Sequence, residues 1–78
     1  VSVRVRYFAA AAEAAGTDAE DRAEHSLAAL RAAVVADHPA LGGILDRCAV
    51  LVDGTRHDDD APLAGVTYVD VLPPFAGG

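Results

Sequence analysis

Lysine is absent from the sequence: all six basic residues are arginines. No side-chain amine is therefore available for Schiff-base chemistry or for modification. Twelve Asp and Glu residues leave a formal charge of −6. That balance argues against nucleic acid, which needs a basic face, and favours solubility and a partner with a basic surface. Cysteine occurs once, so no intrachain disulfide can form. A lone Cys48 fits a reducing cytoplasm better than a secreted, disulfide-stapled class. No charged start followed by an apolar run opens the chain, and no apolar stretch is long enough to span a bilayer. No Gly-rich loop is present to cradle a phosphate, so no nucleotide or other cofactor is expected on this chain. Seventy-eight residues leave room for a single domain, residues 1–78, with no second core.

What is there reads as sheet with one helix. Val1, Val3, Val5 and Tyr7 alternate with Ser2, Arg4, Arg6 and Phe8, the period of a strand. Ala9 to Ala15 is rich in helix-forming alanine, and Gly16 stands where a helix C-cap wants positive φ. Ala19 to His25 has no β-branched residue; local propensity favours helix or loop, although alternation also fits a short solvated edge strand. Ser26 is a good N-cap for a helix carrying Leu27, Leu30 and Val34, which Pro39 ends near Asp37-His38. Pro39 can then open a short turn with Leu41, Ile44 and Leu45. Cys48 to Val52 reads as a buried strand, Asp53-Gly54 as a hairpin turn and Thr55 to His57 as the return. Asp58 to Pro62 is expected to be a solvated loop, and Val66 to Leu72 the last strand. This order implies an α+β two-layer domain with the first and last strands side by side in the centre of the sheet.

Most of the candidate reactive groups have plainer explanations. Cys48 opens an apolar strand and is expected to be a buried small hydrophobe. His57 beside Asp58, Asp59 and Asp60 lacks defined ligand spacing and reads as solvated loop rather than metal site. His25 and His38 stand at helix boundaries, as capping or surface residues. The specific feature is the last stretch, Leu72-Pro73-Pro74-Phe75-Ala76-Gly77-Gly78. Pro73 ends a hydrogen-bonded ladder and Pro74 stiffens the departure, so residues 73–78 form a Gly-Gly tail beyond the domain. Two glycines without Cβ can enter a slot too narrow for any side chain. The carboxylate of Gly78 is then the candidate working group, with Gly77 giving it reach.

That ending, with this length and layout, resembles the ubiquitin-like sulfur carriers, and most of all the small subunit of molybdopterin synthase. Val3-Arg4-Val5-Arg6-Tyr7-Phe8-Ala9 resembles the family's opening strand and turn into its first helix. Ser26-Leu27-Ala28-Ala29-Leu30 resembles the capped start of its main helix, and Val52-Asp53-Gly54 its hairpin. The resemblance implies a ubiquitin-like β-grasp, a mixed sheet with one main helix packed on one face, and it makes Ala19 to Glu24 the second strand. Two places depart from the family pattern. Ala64-Gly65-Val66-Thr67 replaces an acidic Gly turn, and Arg56 stands where the return strand often presents an apolar residue to the large subunit.

The resemblance further implies a sulfur shuttle. An E1-like adenylating enzyme would spend ATP to activate Gly78, and a sulfur donor such as a desulfurase or rhodanese would convert it to a thiocarboxylate. The large synthase subunit, in a heterotetramer of two large and two small chains, would then take the tail and build the dithiolene of molybdopterin. On this reading the chain is not an enzyme by itself. Its partner surface would comprise Phe8, Arg56, Leu72, Pro73, Pro74, Phe75 and Ala76. Phe8 and Leu72 could equally be core, whereas Phe75 lies beyond the strand and suits a partner's pocket. Delivery for thiazole, cysteine or specialised-metabolite synthesis, or a binding module that never uses its carboxylate, are the alternatives.

Overall fold

The structure, a computed structural model, describes residues 2–74. Five strands form one sheet in the order β2-β1-β5-β3-β4. They are β1 (Val3–Tyr7), β2 (Ala19–Arg22), β3 (Ala49–Val52), β4 (Thr55–Arg56) and β5 (Tyr68–Leu72). β1 and β5 run parallel, with Val5 opposite Val69 and Tyr7 opposite Val71. β2 lies antiparallel to β1, and β3 antiparallel to both β5 and β4. The first and last strands are thus neighbours, with β5 in the middle of the sheet, as their apolar alternation implies. Two helices, α1 (Ala10–Ala15) and α2 (Leu27–Asp37), and two 3-10 turns, Pro39–Gly43 and Leu45–Arg47, complete the chain. This is a ubiquitin-like β-grasp.

One face of the sheet is dry. Val3, Val5, Tyr7, Val50, Val52, Val69 and Val71 are buried there, and they share a single core with Leu27, Leu30, Val34, Leu41 and Leu45. Leu27, Leu41, Val5 and Val69 are the largest wholly buried side chains. Ser26 caps α2 as its side chain accepts from the Ala29 N–H at 3.2 Å. A second cap comes from Asp60, whose Oδ1 accepts from the Ala28 N–H at 2.8 Å. The backbone of the same loop bridges to the helix start: the Leu27 N–H donates to the Ala61 carbonyl, and the Leu63 N–H to that of His25. The acidic loop is therefore not merely solvated, because one of its three aspartates satisfies an orphan donor of the main helix.

The hairpin turn has the two positive φ angles of a type I′ turn, 46° at Asp53 and 86° at Gly54. The Asp53 carboxylate also accepts from the backbone N–H groups of Thr67 and Tyr68. The Val66 N–H is already spent on the Leu63 carbonyl. The turn lies at Ala64-Gly65, and β5 begins at Tyr68, two residues later than apolar content alone suggests.

β2 is a strand against its local propensity, and side chains explain why. Glu20 Oε2 accepts from the Tyr7 hydroxyl at 2.6 Å and contacts His38 Nε2 at 2.7 Å. An ionised carboxylate can only accept, so Nε2 of His38 carries the proton in that bond. Arg22 reaches Glu24 through Nε at 3.0 Å and Asp37 through Nη1 at 2.5 Å. The short edge strand is thereby tied to the C-terminal end of α2. His38, expected at the surface or as a cap, is the C-cap of α2, its N–H donating to the Val34 carbonyl at 2.8 Å, and its ring also joins this cluster, edge-on to Tyr7.

The cluster gives stability a defined pH dependence. Burial alone would raise the Glu20 pKa, but hydrogen bonds from Tyr7 and His38 and the charges of His38 and Arg22 outweigh it, and the carboxyl lies below its usual value. Asp37 is likewise lowered, first by its hydrogen bond from Arg22. A depressed carboxyl stabilises the fold above its unfolded pKa and loses that contribution as pH falls through the folded value. Thermal melts will therefore drop in midpoint as pH is lowered below about 4.5, and Glu20→Gln will flatten that drop. An unchanged acid limb in the variant would remove Glu20 as its source.

Backbone strain sits at one alanine. Ala9, the residue before α1, has φ 50° and ψ −125°, a region that glycine alone enters without strain. Ala9→Gly should relieve it and raise stability by about 1 kcal/mol, roughly 4–8 °C in melting temperature for a domain of this size. A lower melting temperature would show that the angle is held without cost.

Candidate functional site

The tail leaves from the end of β5, the central strand. Its last ladder residue, Leu72, is half-buried and pairs with Ala49 of β3. Pro73 is buried and Pro74 exposed. Pro73 lacks an N–H and cannot continue the ladder, so sheet pairing stops where the tail begins. The candidate residues Phe75, Ala76, Gly77 and Gly78 lie outside the described residues.

Beside this departure point stands the open face of the sheet. Tyr7 points into the core, and the next residue, Phe8, is 42 % exposed. Its N–H donates to the Val71 carbonyl at 3.1 Å, which carries the β1–β5 pairing up to the level of the tail. Of the two residues that sequence left between core and surface, Phe8 is thus on the surface and Leu72 is intermediate. Arg56, in the short edge strand β4, is exposed and donates from Nε to Asp58 Oδ1 at 3.1 Å. It lies in register with Leu51, and Leu51 with Asp70. Strand register places Arg56, Leu51, Asp70 and Arg6 in one row on the face away from the helices.

The centre of that face is a polar fixture that sequence reading missed. Arg6 on β1 makes two hydrogen bonds to Asp70 on β5, Nε to Oδ1 at 2.5 Å and Nη2 to Oδ2 at 2.8 Å. The guanidinium also stacks over Tyr68, 3.9 Å from its ring centroid. The Asp70 hydrogen bonds hold the Arg6 pKa above its ordinary value against the opposing effect of desolvation. Its partners are 64 residues apart in the chain, and the only sequence signal was that both fall at outward positions of their strands. A second ion pair, Arg4 with Asp21 at 3.1 Å, flanks it toward β2 and is well exposed.

Among the described residues, no side chain near the end of β5 forms a reactive centre. Cys48 is buried, 7 % exposed, and its Sγ donates to the Ile44 carbonyl at 3.3 Å. Burial pushes its thiol up, with a smaller opposing pull from Arg31. Asp58 pairs with Arg56 and Asp60 caps α2, so two of the three aspartates after His57 have structural partners. The described residues form a platform: a central strand ends at Pro73-Pro74 beside a face bearing an exposed phenylalanine and a doubly hydrogen-bonded Arg–Asp pair.

Known proteins agree with this architecture. The ThiS family matches residues 5–78. The crystal structure of SAMP1 from Haloferax volcanii superposes with a TM-score of 0.85 at 25% identity, covering 100% of both chains. The solution structure of small archaeal modifier protein 1 from Methanosarcina acetivorans gives a TM-score of 0.76 at 20% identity, covering 100% of this chain and 97% of that one; at that identity it speaks for the fold. No curated protein sequence matches. The family match spans nearly the whole domain, both tail glycines included, and the chain belongs to the ThiS family of ubiquitin-like sulfur carriers.

Proposed function

We propose that this carrier holds sulfur as a thiocarboxylate on Gly78 and delivers it to the pterin precursor of molybdopterin. The observation that supports this reading is the Leu72-Pro73-Pro74-Phe75-Ala76-Gly77-Gly78 stretch leading off the central strand of a ThiS-family domain. A free carboxylate is a poor electrophile. An E1-like adenylating enzyme would transfer AMP from ATP to the Gly78 carboxyl, making one oxygen part of a good leaving group. A persulfide sulfur on a desulfurase or rhodanese would attack the carbonyl carbon, the C–O bond would break and AMP would depart with the electron pair. A second thiol would then cleave the acyl S–S bond, forming a disulfide with the donor cysteine and leaving the sulfur on the carrier. The thiocarboxylate sulfur that remains is anionic and strongly nucleophilic, by the chemistry that makes thiolates the reactive form of cysteine.

The large subunit of the synthase would then receive the tail, supply the catalytic side chains and add two sulfurs, one per carrier visit. The test is intact mass after incubation with ATP, an E1-like enzyme and a sulfur source. Exchange of one oxygen for sulfur adds about 16 Da. No gain would reject the carrier chemistry, and transfer of the sulfur only to a thiazole or cysteine precursor would reject the molybdopterin branch.

A second reading has support from the solved relatives, two of which are modifier proteins by name. The same activated carboxyl can be captured by an amine of another protein, which would make the chain a protein modifier as well as a sulfur carrier.

Docking in either role would use the open face beside the tail, with Phe8 and Phe75 as aromatic anchors and Leu72, Pro74 and Arg56 around them. Phe8→Ala should weaken binding of the large subunit or activating enzyme by about ten-fold or more, a loss of at least about 1.4 kcal/mol, while the melting temperature holds. Unchanged affinity by calorimetry would take Phe8 out of the interface.

A further inference from the structure

An activated acyl group is a hazard to the protein that bears it, because any competent nucleophile on the same surface will capture it. The nucleophiles this chain presents are therefore informative. It has no lysine among its 78 residues. Its one thiol, Cys48, is buried and engaged with the Ile44 carbonyl. Tyr7 is buried, with its hydroxyl committed to Glu20. Ser26 spends its side-chain oxygen on the α2 cap, and Tyr68, although exposed, offers a phenol and not an amine. The remaining hydroxyls are weak nucleophiles beside an amine or a thiolate.

From this inventory we infer that the chain is a one-way donor: its activated tail can be joined to an amine on another protein, but no side chain of its own can accept a second copy. The inference rests on the proposed activation at Gly78. In the joining step an amine lone pair forms an N–C bond to the Gly78 carbonyl carbon. The C–O bond to AMP or the C–S bond of a thioester breaks, the leaving group keeps the electron pair, and the ammonium loses a proton to water. Lysine supplies such an amine, and a permanently protonated guanidinium does not. Modification by this protein would then carry no side-chain-linked polymers, and no side chain of the carrier would drain the pool of loaded copies.

The test uses the full chain with its α-amine acetylated and a thioester built chemically at Gly78, so failure of ATP-dependent loading leaves the result untouched. Hydroxylamine trapping gives the amount of active donor. Acceptors are the acetylated chain itself and its Glu13→Lys and Arg47→Lys variants, each altered at an exposed position. The wild-type acceptor should yield only the hydrolysed donor. The lysine variants should yield a species of twice the mass at about ten-fold or more above that background. A wild-type acceptor that forms the doubled species as fast as the variants would overturn the inference. So would lysine variants that form none, since something other than the missing amine would then protect the chain.

Discussion

Deleting Gly78, or appending one residue after it, will abolish the sulfur-dependent gain in mass while leaving the melting temperature unchanged. On the carrier reading the reacting atom is the carbonyl carbon at the end of the tail, and the partner's active site is built for that position. One residue of extended chain spans about 3.5 Å. Reacting atoms must come within about 3–3.5 Å of each other, and a misplacement of about 1 Å can already cost about 100-fold in rate. Removing a residue draws the carboxyl back by several times that tolerance. Adding one moves the carboxyl past the site and places an internal amide where the acid should be. The loss should therefore exceed about 100-fold in either variant. The core lies in the domain that ends with β5, so neither change reaches it. A truncated or extended chain that loads at the normal rate would make the domain a binding module whose carboxylate is idle.

The largest loss of stability will come from Leu27→Ala. Leu27 is the first residue of α2 and is 0 % exposed. It shares the core with Val5, Leu41 and Val69, so its truncation removes apolar contact at the junction of helix and sheet. Leucine-to-alanine changes at such sites cost about 2–5 kcal/mol, the transfer free energy of the lost atoms plus the cavity left behind. A chain of this length has roughly 4–12 kcal/mol of total stability, with no disulfide to add to it. A loss of about 3 kcal/mol should lower the melting temperature by roughly 12–24 °C. The variant, kept cold enough to remain folded, should still load sulfur, because the tail is intact. A shift under about 5 °C would mean that the site collapses around the smaller side chain and that the helix–sheet layer is more plastic than its burial indicates.

Much of this architecture was legible in the chain because the deciding interactions are local or periodic. Val3, Val5 and Tyr7 announced β1 by alternation, and all three are buried. Ser26 announced the start of α2, Gly16 the end of α1, and Asp53-Gly54 the hairpin. The strand β2 was not legible from its own residues. Its ties to Tyr7, Asp37 and His38 come from elsewhere in the chain, and only the family resemblance supplied it. The Asp60 cap joins positions 32 residues apart, and the Asp53 bonds to Thr67 and Tyr68 join hairpin to strand across 14 and 15 residues. Such side-chain-to-backbone links leave no periodic trace. Residues 75–78 of the candidate site lie outside the described residues, whereas the Arg6–Asp70 fixture on the open face became visible only when parallel pairing set β1 against β5.

That parallel pairing has a mechanical side. β5 is hydrogen-bonded along both edges, to β1 and to β3. A pull at Leu72, the end of β5, acts along the strand. It stresses both ladders at once in shear, where a peripheral strand could be peeled away bond by bond. A machine that tugs on the end of this protein would grip the handle at its strongest mounting.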